Sequence, residues 1–504
     1  MTKDFFLDPI QEAIGSMGPW QLIITIALSL KSFPAAWNQL AIAVIAPGQD
    51  FFCVSPTPMN ASDSMLRACS VRVDDSLPEV PCEKFSYDDS GFKSTIVSEW
   101  DLVCQRKYLR SLVQPATQTG FLIGYLTFGV MADRIGRKTP VMIAVTVQAV
   151  AGLITAFMSR FELFLLFKVI SAIATGGSLN ACFTIMIEIV GAETRSKLVY
   201  FYHIPYLLSF LSVPVISYLT KTWDGYWLST SIPAFLLLSY YWLIPESPRW
   251  LLAVGKVEQA RQILLQAAKK NKKPVEEVAT AIESYETKLL ASKTQGFEAD
   301  SKKRTYGVLD LVRTPVMRTR LILIAINYFN GGMIFFGEAQ YASRMSKNVR
   351  TNLAVIAAFQ LPGLLIAYFL ISRISRLKLI IVANFLIGTC ILLIIPFYNY
   401  DVFKLVLVAV GMSCMMVKII TLHLYTGELF PTVVRNIALA ICSVLSKLGS
   451  IVAPLLIDYV NDIAYWIVPL IFGLAPILNA ILFFWLPETK DCKLPDSIKE
   501  SENL

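Results

Sequence analysis

The sequence predicts an all-α membrane protein whose twelve transmembrane helices form two six-helix bundles. Three observations predict this class: the composition, a series of long apolar blocks and an internal repeat. Hydrophobic residues make up 55% of the 504 residues and charged residues only 16%, whereas soluble domains carry about 25% charged residues. The chain therefore has too little polar surface to coat a water-soluble globule.

Twelve blocks of the chain are long and apolar enough to cross a bilayer. A hydrocarbon core about 30 Å thick needs roughly 20 apolar residues in a helix, and lipid offers no partners to the polar groups of any other open structure. The short alternating segments of a membrane barrel are absent from the sequence. We number the blocks spans 1 to 12; they cover residues 20–46, 109–131, 139–159, 161–189, 196–220, 225–245, 319–341, 349–372, 378–398, 402–426, 433–459 and 463–486.

Basic residues are concentrated in the hydrophilic segment between spans 6 and 7. Four lysines lie within residues 269–273, and Lys302-Lys303-Arg304 follows. Because cytoplasmic loops are enriched in Lys and Arg, we expect this segment and both termini to lie in the cytoplasm. Membrane topology thus accounts for the net charge of +8, and we expect the lipid bilayer, not a nucleic acid, as the surrounding partner.

The predicted loop between spans 1 and 2, residues 47–107, has the composition of an extracellular segment. It holds the chain's only N-glycosylation sequon, at Asn60. An even number of cysteines beside a sequon is typical of an oxidising, glycosylated compartment; the alternative is that the sequon arose by chance. Four cysteines allow three disulfide pairings, among which the sequence does not choose: Cys53, Cys69, Cys82 and Cys104.

Three signatures recur in the same order at nearly constant spacing. The motif Glu188-x6-Arg195 returns as Glu428-x6-Arg435, an offset of 428 − 188 = 240 residues. The Pro-Glu pair that closes span 6 returns 242 residues later at the end of span 12, and the segment Asp133–Lys138 returns in weaker form at Ser372–Arg376. Such a series predicts a duplicated six-helix unit.

The duplication divides the chain into two halves and a seam. We expect an N-terminal half over residues 1–245, a cytoplasmic linker with amphipathic helices over 246–318, and a C-terminal half over 319–504. Parallel repeats about an axis along the membrane normal are the architecture of major facilitator carriers, which bind substrate between the halves near the midplane.

The charged motifs that follow spans 2, 4 and 10 predict a gating latch. Glycines allow tight turns and close approach of helices, and the flanking charges can pair with neighbouring helix ends. A latch of this kind would hold one conformation and break in another, as alternating access requires; the alternative is a basic turn that only obeys the topology rule. The second copy lacks the acid and the glycine, so we expect it to be weaker. The gating candidates are Asp133, Arg134, Gly136, Arg137, Glu188, Arg195, Glu428 and Arg435.

Ionisable groups inside the spans are candidates for the substrate site because they are costly in lipid. Most are cationic: Lys31 and Lys168, which could extend to the headgroups, and Lys418 and Lys447, while Glu338 lies near the far end of its span. A buried lysine without an acid either loses its proton or binds an anion. Aromatic and amide side chains could complete the cavity, although packing alone would also explain each of them. The substrate-site candidates are Lys447, Lys418, Tyr328, Phe329, Phe336, Tyr202, Tyr206, Asn38 and Gln360.

Catalytic and nucleotide-binding motifs are missing from the sequence. There is no GxxxxGK[ST] phosphate loop, no HExxH and no Gly-x-Ser-x-Gly, each of which would indicate a specific chemistry. We therefore expect no enzymatic activity, no cofactor and no metal site.

Longer motifs resemble those of one family, the organic cation, organic anion and carnitine transporters of the major facilitator superfamily (solute carrier family 22). The resemblance extends from end to end of the chain. It is carried by the cysteine-bearing loop and by four motifs: Glu99-Trp100-Asp101-Leu102-Val103-Cys104, Asp133–Lys138, Pro245-Glu246-Ser247-Pro248-Arg249 and Tyr425-Thr426-Gly427-Glu428-Leu429-Phe430-Pro431.

The resemblance implies a plasma-membrane carrier of small organic ions that works as a uniporter, an exchanger or an ion-coupled carrier, so a counter-ion or exchange substrate is an expected partner. Lys447 stands where anion and carnitine members have a basic residue, and Tyr328-Phe329 where anion members have paired tyrosines. The chain departs from the family pattern at Lys418, usually a small residue, and at Gln360, commonly an acid.

Three functions follow as hypotheses. The leading one is transport of organic anions or zwitterions. The alternatives are an organic cation carrier, against which the absence of a deep carboxylate counts, and a non-transporting major-facilitator protein that acts as a receptor or binding protein.

Overall fold

All twelve predicted spans are helical in the structure. The computed structural model describes residues 13–55, 69–71, 79–299, 308–342, 348–431, 434–460 and 464–490. In chain order the spans are Pro19–Leu30 with Ser32–Leu40 and Ile42–Ile45 (span 1), Lys107–Ile135, Lys138–Thr155, Phe161–Ile189, Ala192–Thr220, Trp223–Ala234 with Phe235–Ser239 and Tyr240–Leu243 (span 6), Pro315–Ala342, Val349–Arg373, Arg376–Leu392, Asp401–Leu429, Arg435–Val460 and Ile467–Phe483.

Seven of these helices qualify as membrane spans by length and composition alone, namely those of spans 3, 4, 5, 7, 8, 10 and 11. Spans 9 and 12 have 17 helical residues each. Spans 1 and 6 are interrupted; in span 6, Pro233 is followed by a 3-10 segment, Phe235–Ser239. Proline removes a backbone donor and clashes with the preceding turn, so the change of helix type there has a local cause.

Glycines allow pairs of spans to approach closely inside each half. A Cβ atom on Gly332 of span 7 would overlap the carbonyl of Ser446 in span 11, and one on Gly449 of span 11 would overlap the carbonyl of Phe329 in span 7. A Cβ atom on Gly124 of span 2 would overlap the carbonyl of Ile173 in span 4 in the same way. Small residues at such crossings are the usual means of packing helices in lipid.

We call the two ends of the bundle the loop side, which carries residues 47–107, and the linker side, which carries residues 246–318. Near the loop side one apolar core includes residues of both halves, such as Ile42 and Val113 of the N-terminal half and Phe335, Leu353 and Ile457 of the C-terminal half. The halves are therefore packed against each other there.

Near the linker side each half has its own apolar core. That of the N-terminal half contains Trp20 and Ile185 together with Leu264 of the linker. That of the C-terminal half contains Leu321 and Phe483. These two cores are separate, although a smaller core joins Leu207 of span 5 to residues of the C-terminal half that include Leu364 and Ile371.

The loop between spans 1 and 2 is a small disulfide-bonded unit. Strand β1 (Phe51–Ser55) pairs antiparallel with β4 (Lys84–Tyr87), and β2 (Ser70–Val71) with β3 (Val80–Pro81). The disulfides join Cys53 to Cys82 and Cys69 to Cys104, which selects one of the three possible pairings. The predicted glycosylation site, Asn60, lies outside the described residues.

The first three helices of the linker pack beneath the N-terminal half, whereas the fourth contributes Leu311 to the linker-side core of the C-terminal half. The described helices of the linker are Pro248–Ala253, Val257–Lys270, Val275–Ala299 and Val308–Arg313. Asn271 holds the second of these against the start of span 1: its Oδ1 accepts from the backbone N–H of Trp20 at 2.9 Å, and its Nδ2 donates to the carbonyl of Ile14 at 2.9 Å.

Candidate substrate site between the two halves

Lys447 lies at the middle of span 11, where aromatic rings of both halves converge. Its Nζ is 5.5 Å from the ring centre of Phe121 and 5.6 Å from that of Tyr125, both in span 2, and 5.9 Å from that of Phe336 in span 7. These distances are within the range of cation–π attraction. Within the described ranges no carboxylate forms an ion pair with Lys447. The ammonium is therefore held by rings and retains its capacity to bind an anion.

Lys418 approaches the same helix from another direction. Its Nζ is 3.9 Å from the position that a Cβ atom would take at Gly331 of span 7, one residue before the crossing with span 11 at Gly332. The side chain is 1% exposed and lies within the C-terminal half. Lys418 therefore lies near the ring-lined site around Lys447 but is separated from it by span 7. The charged residue that Lys418 faces is Glu338.

Glu338 is more deeply buried than its place near the end of span 7 predicted. It is 3% exposed, and neither of its carboxylate oxygens has a hydrogen-bond partner among the residues described. The expectation that the membrane region holds no deep carboxylate was wrong at this position. The reason is packing: the carboxylate lies over Gly411 of span 10, where the missing side chain leaves room.

The remaining candidates are divided among several places. Tyr206 of span 5 donates from its hydroxyl to Gln39 Oε1 at 3.0 Å. It also packs against an apolar cluster that includes Leu364 and Met416 of the other half, so it lies where the halves meet. Gln360 of span 8 is fully buried, and its amide has no partner within the described ranges.

Two further aromatic candidates, Tyr328 and Tyr202, are not among the rings found around Lys447 in the described residues. The hydroxyl of Tyr328 is 3.5 Å from Nδ1 of His423. Tyr202 packs on Phe183, with ring centres 5.1 Å apart, in the linker-side core of the N-terminal half. Phe329 packs at the crossing of spans 7 and 11, where its carbonyl faces Gly449.

Asn38 belongs to a polar cluster inside the N-terminal half. Its Nδ2 donates to Ser171 Oγ at 2.8 Å, and its carbonyl accepts from Lys168 Nζ at 3.4 Å. Lys168 also lies 4.6 Å from the ring centre of Trp227. Lys31 donates to the side-chain oxygen of Gln148.

Lys31 and Lys168 are both fully buried. Neither extends to the headgroups, in contrast to one interpretation of the sequence, because each finds polar or aromatic partners inside the bundle.

The gating motif after span 2 forms a compact ionic box on the linker side. Arg137 pairs with Glu188 at 3.0 Å and with Asp133, while Glu246 accepts from the backbone N–H of Arg137 at 2.7 Å. Gly136 has φ +105°, and a Cβ atom there would meet Glu246 Oε2 at 2.5 Å. Burial acts to lower the pKa of Arg137, but Glu188 and Asp133 together raise it above its ordinary value. Arg134 is exposed.

An equivalent box lies at the second copy of the motif. Glu488 accepts from the backbone N–H of Arg376 at 3.0 Å. The guanidinium of Arg376 lies 3.5 Å from one carboxylate oxygen of Glu428. The other oxygen of Glu428 accepts from the hydroxyl of Thr489 at 2.6 Å. The box forms although the acid and glycine of the motif are missing, since Ser375 at this turn has φ −63° and needs no glycine. The second copy, which was predicted to be weaker, therefore has the same kinds of contact as the first.

The boxes differ from the pairs that motif spacing indicated. Glu428 pairs with Arg376 and not with Arg435, because Arg435 lies beyond the turn at Pro431 and donates to the carbonyl of Phe430 at 3.2 Å. In the first copy the side chain of Arg195 lies outside the described residues.

Sequence reasoning did not single out Glu246, Glu488 and Arg376, which take part in the two ionic boxes. The signal that could have found them was the recurrence of Pro-Glu at the end of each half.

On the loop side, Arg350 at the start of span 8 ties together three parts of the molecule. Its Nε donates to Ser217 Oγ of span 5 at 3.2 Å, and its guanidinium donates to the carbonyl of Gly91 at 2.8 Å. The same guanidinium lies 4.1 Å from the ring centre of Phe92. We call these contacts the Arg350 clasp; they connect the C-terminal half to both the N-terminal half and the loop.

Comparisons with known proteins agree with this architecture. Residues 24–496 match the family described as sugar (and other) transporter. The chain is 31% identical to solute carrier family 22 member 3 of Rattus norvegicus, over 85% of this chain and 75% of the relative. It is 28% identical to solute carrier family 22 member 6-B of Xenopus laevis, over 98% of this chain and 94% of the relative.

The chain belongs to solute carrier family 22. It is also 27% identical to the organic cation transporter protein of Drosophila melanogaster, over 99% of this chain and 94% of the relative. The inward-open conformation of the xylose transporter XylE from E. coli shares the fold, with a TM-score of 0.66 at 18% identity over 96% of this chain and 98% of that chain.

Family membership and fold together establish a multi-pass major-facilitator transporter of small organic substrates, and not an enzyme.

Proposed function

We propose that this member of solute carrier family 22 carries small organic anions or zwitterions across the plasma membrane by alternating access. The observation that carries the proposal is the Lys447 ammonium, which lies between rings of the two halves and forms no ion pair within the described ranges. An unpaired charge in a low-dielectric interior is costly. An anionic group of a substrate would compensate it.

The rings around Lys447 suit a substrate with an apolar or cationic part next to its anionic group. Phe121, Tyr125 and Phe336 offer π faces on which planar groups stack and to which a quaternary ammonium is attracted. A carboxylate or sulfonate would face Lys447, while the remainder of the substrate would lie on the rings.

The distribution of contacts between the halves supports an alternating-access cycle. The halves share their largest core and the Arg350 clasp on the loop side, whereas toward the linker side they share only a smaller core around Leu207 and otherwise have separate cores. We propose that this is a state closed to the outside, with the loop of residues 47–107 extracellular and the linker and both termini cytoplasmic. The two ionic boxes would then stabilise the linker-side ends of spans in each half while the halves move.

Transport of organic cations is a second candidate function because of one observation. Glu338 is a buried carboxylate without a hydrogen-bond partner in the described residues, and such a group could attract a cation. Lys418, close to Glu338 across spans 7 and 10, would oppose this by neutralising its charge.

Uptake by cells that express the chain would distinguish these functions. We would measure saturable uptake of labelled benzenesulfonate, labelled betaine and labelled tetraethylammonium, with surface biotinylation to quantify the chain at the plasma membrane. The proposal expects saturable uptake of benzenesulfonate or betaine, which Lys447→Met abolishes without a change in surface amount. The matched control is Lys378→Met, at an exposed lysine, which should behave as the wild type.

Two outcomes would contradict the proposal. Saturable uptake of tetraethylammonium alone would establish the cation function, and no saturable uptake of any of the three would favour a receptor or binding protein. Unchanged kinetics in Lys447→Met would remove that residue from the site.

A further inference from the structure

Glu338 of span 7 and Lys418 of span 10 are opposite charges buried inside the C-terminal half. They are 3% and 1% exposed. Neither the two carboxylate oxygens nor the ammonium nitrogen has a hydrogen-bond partner among the residues that the structure describes. Structural ion pairs in protein interiors are normally completed by further hydrogen bonds, because the cost of removing both charges from water is otherwise not offset. Glu338 and Lys418 have no such further hydrogen bonds among the described residues.

Each of the two side chains lies against a glycine of the other span. Lys418 Nζ is 3.9 Å from the Cβ position at Gly331, and Glu338 Oε1 is 2.9 Å from the Cβ position at Gly411. Each glycine is seven residues from the charged residue of its own helix, which is about 10 Å along the helix axis. The two spans run in opposite directions, and helical side chains lean toward the N-terminus, so the carboxylate and the ammonium lean toward each other.

Few other titratable groups face this pair. Lys418 acts electrostatically on Glu338, and Glu338 acts in turn on the thiols of Cys390 in span 9 and Cys414 in span 10. A cavity of about 10 Å³, enough for about one water molecule, is lined by Glu338 and Tyr341 together with apolar side chains. Cysteine and tyrosine are normally uncharged at neutral pH. In the described part of the C-terminal half, Lys418 is therefore the charged group that Glu338 faces most directly.

We propose that Glu338 and Lys418 form a proton-binding site and that this carrier couples anion movement to a proton. With Glu338 ionised the pair is neutral as a whole. A proton added to the carboxylate gives a neutral acid and leaves the ammonium as the only charge, so the net charge rises by one. The proton comes from water on the side to which the carrier is open and leaves to water on the other side after the halves have moved.

The site is placed to act on the substrate. Gly331, which Lys418 contacts, is next to Gly332, where span 11 with Lys447 crosses span 7. A positive charge that appears at Lys418 therefore adds to the attraction of Lys447 for an anion, since charge interactions are strong in a medium of low dielectric. One proton moved with one monovalent anion transfers no net charge. This part of the inference rests on the proposed anion transport.

Infrared titration tests the proton site without any substrate. Wild type and Glu338→Gln, reconstituted in lipid, would be compared between about pH 5 and about pH 9, the range in which a perturbed carboxyl group titrates. We expect a carboxylic-acid carbonyl band that changes with pH in the wild type and is lost in Glu338→Gln. Glu162→Gln, at an exposed acid in the first turn of span 4, is the matched control and should retain the band.

A second variant covers the possibility that a single substitution unfolds the chain. Glu338→Gln with Lys418→Met removes both charges and leaves no unpaired charge, and it should also lack the band. A pH-dependent band that persists in both variants would overturn the proposal.

Transport measurements then test the coupling. In proteoliposomes, an imposed gradient with the acidic side outside should stimulate benzenesulfonate uptake by the wild type. Glu338→Gln should carry the anion without stimulation by the gradient, and Glu162→Gln should resemble the wild type. Equal stimulation in Glu338→Gln would contradict the coupling. If the wild type takes up no benzenesulfonate, the proposed anion transport fails, while the infrared titration still decides whether the proton site exists.

Discussion

At Lys447, three aromatic rings occupy the positions around the ammonium where a structural ion pair would have a carboxylate. Two of the rings, Phe121 and Tyr125, belong to the opposite half of the molecule. Cation–π attraction contributes about 0.5–2 kcal/mol, whereas the desolvation of a buried ammonium costs several kcal/mol. The rings hold Lys447 in place, but their attraction does not offset the desolvation cost of its charge. A bound anion would offset the remainder.

The ring of Tyr125, and not its hydroxyl, should matter for this site. We expect Tyr125→Leu to raise the KM for benzenesulfonate by about 2- to 5-fold, the equivalent of the weaker cation–π range, because it removes one π face from Lys447. Tyr125→Phe keeps the ring and should have the wild-type KM. Concentration-dependent uptake measures both, and a larger defect in Tyr125→Phe than in Tyr125→Leu would show that the hydroxyl is the important group.

Among the elements, spans 7 and 11 form the crossing that supports the proposed substrate site. Gly332 and Gly449 each face a backbone carbonyl of the other helix, and no side chain larger than hydrogen fits without a shift. The crossing holds Phe336 and Lys447 on adjacent helices of the same half. The position of the ammonium therefore depends on two glycines that make no contact with it.

Gly332→Ala should destabilise the chain by about 1–3 kcal/mol, the usual cost of overpacking, since its methyl group would overlap the carbonyl of Ser446. Gly427→Ala is the matched control, because a Cβ atom at Gly427 has no neighbour within 4 Å. Thermal unfolding of the purified variants would measure the difference. Equal melting temperatures for the two variants would show that the crossing can relax.

The ionic boxes at the linker-side ends are the second pair of elements that the repeat relates. Glu246 and Glu488 occupy equivalent places: Glu246 accepts from backbone N–H groups at the start of span 3, and Glu488 from those at the start of span 9. Burial acts to raise the pKa of Glu488, but hydrogen bonds, including those from the backbone of Lys490, Leu377 and Arg376, lower it below its ordinary value.

This shift predicts how the stability of the C-terminal box depends on pH. A carboxyl group whose pKa is lower in the folded state stabilises the fold above its ordinary pKa of about 4.5, and this contribution is lost as the pH falls through the folded-state pKa. Wild type should thus melt at a higher temperature than Glu488→Gln near neutral pH, and the difference should shrink below about pH 4.5. A difference in melting temperature that stays constant down to about pH 3 would show that the charge of Glu488 is not involved.

For the whole molecule, the Arg350 clasp is the polar counterpart of the apolar core that joins the halves on the loop side. It connects span 8, span 5 and the disulfide-bonded loop through one guanidinium. Planar, multiply bonded contacts of this kind suit arginine and not lysine. An outward-facing state would have to break them, so the clasp should bias the carrier toward closure on this side.

Arg350→Ala should shift the population toward a state open on the loop side. Spin labels at the exposed positions Lys221 and Tyr400, on the loop-side ends of the two halves, would report this as a longer distance in double electron–electron resonance. Arg160→Ala, at another exposed loop-side arginine, is the control and should leave the distance distribution unchanged. An unchanged distribution in Arg350→Ala would mean that the apolar core alone keeps this side closed.

By itself the sequence determined the class of the protein, its twelve spans, its duplication and its family. These properties depend on local hydropathy and on motifs that can be read one segment at a time, because a span needs only enough apolar residues to cross the hydrocarbon core. Lys447 could also be proposed as a site residue in this way, since an ammonium in the middle of an apolar block is costly wherever its neighbours lie.

Only the tertiary structure decided which charges meet. Glu428 pairs with Arg376 instead of Arg435, Glu338 and Lys418 face each other across two glycines, and Lys31 is held inside the bundle by Gln148. The physical reason is that a side chain's partners depend on helix rotation and on the packing of segments far apart in the chain. Hydropathy carries no information about that rotation, so the ring-lined ammonium and the buried charge pair became visible only once the helices were in place.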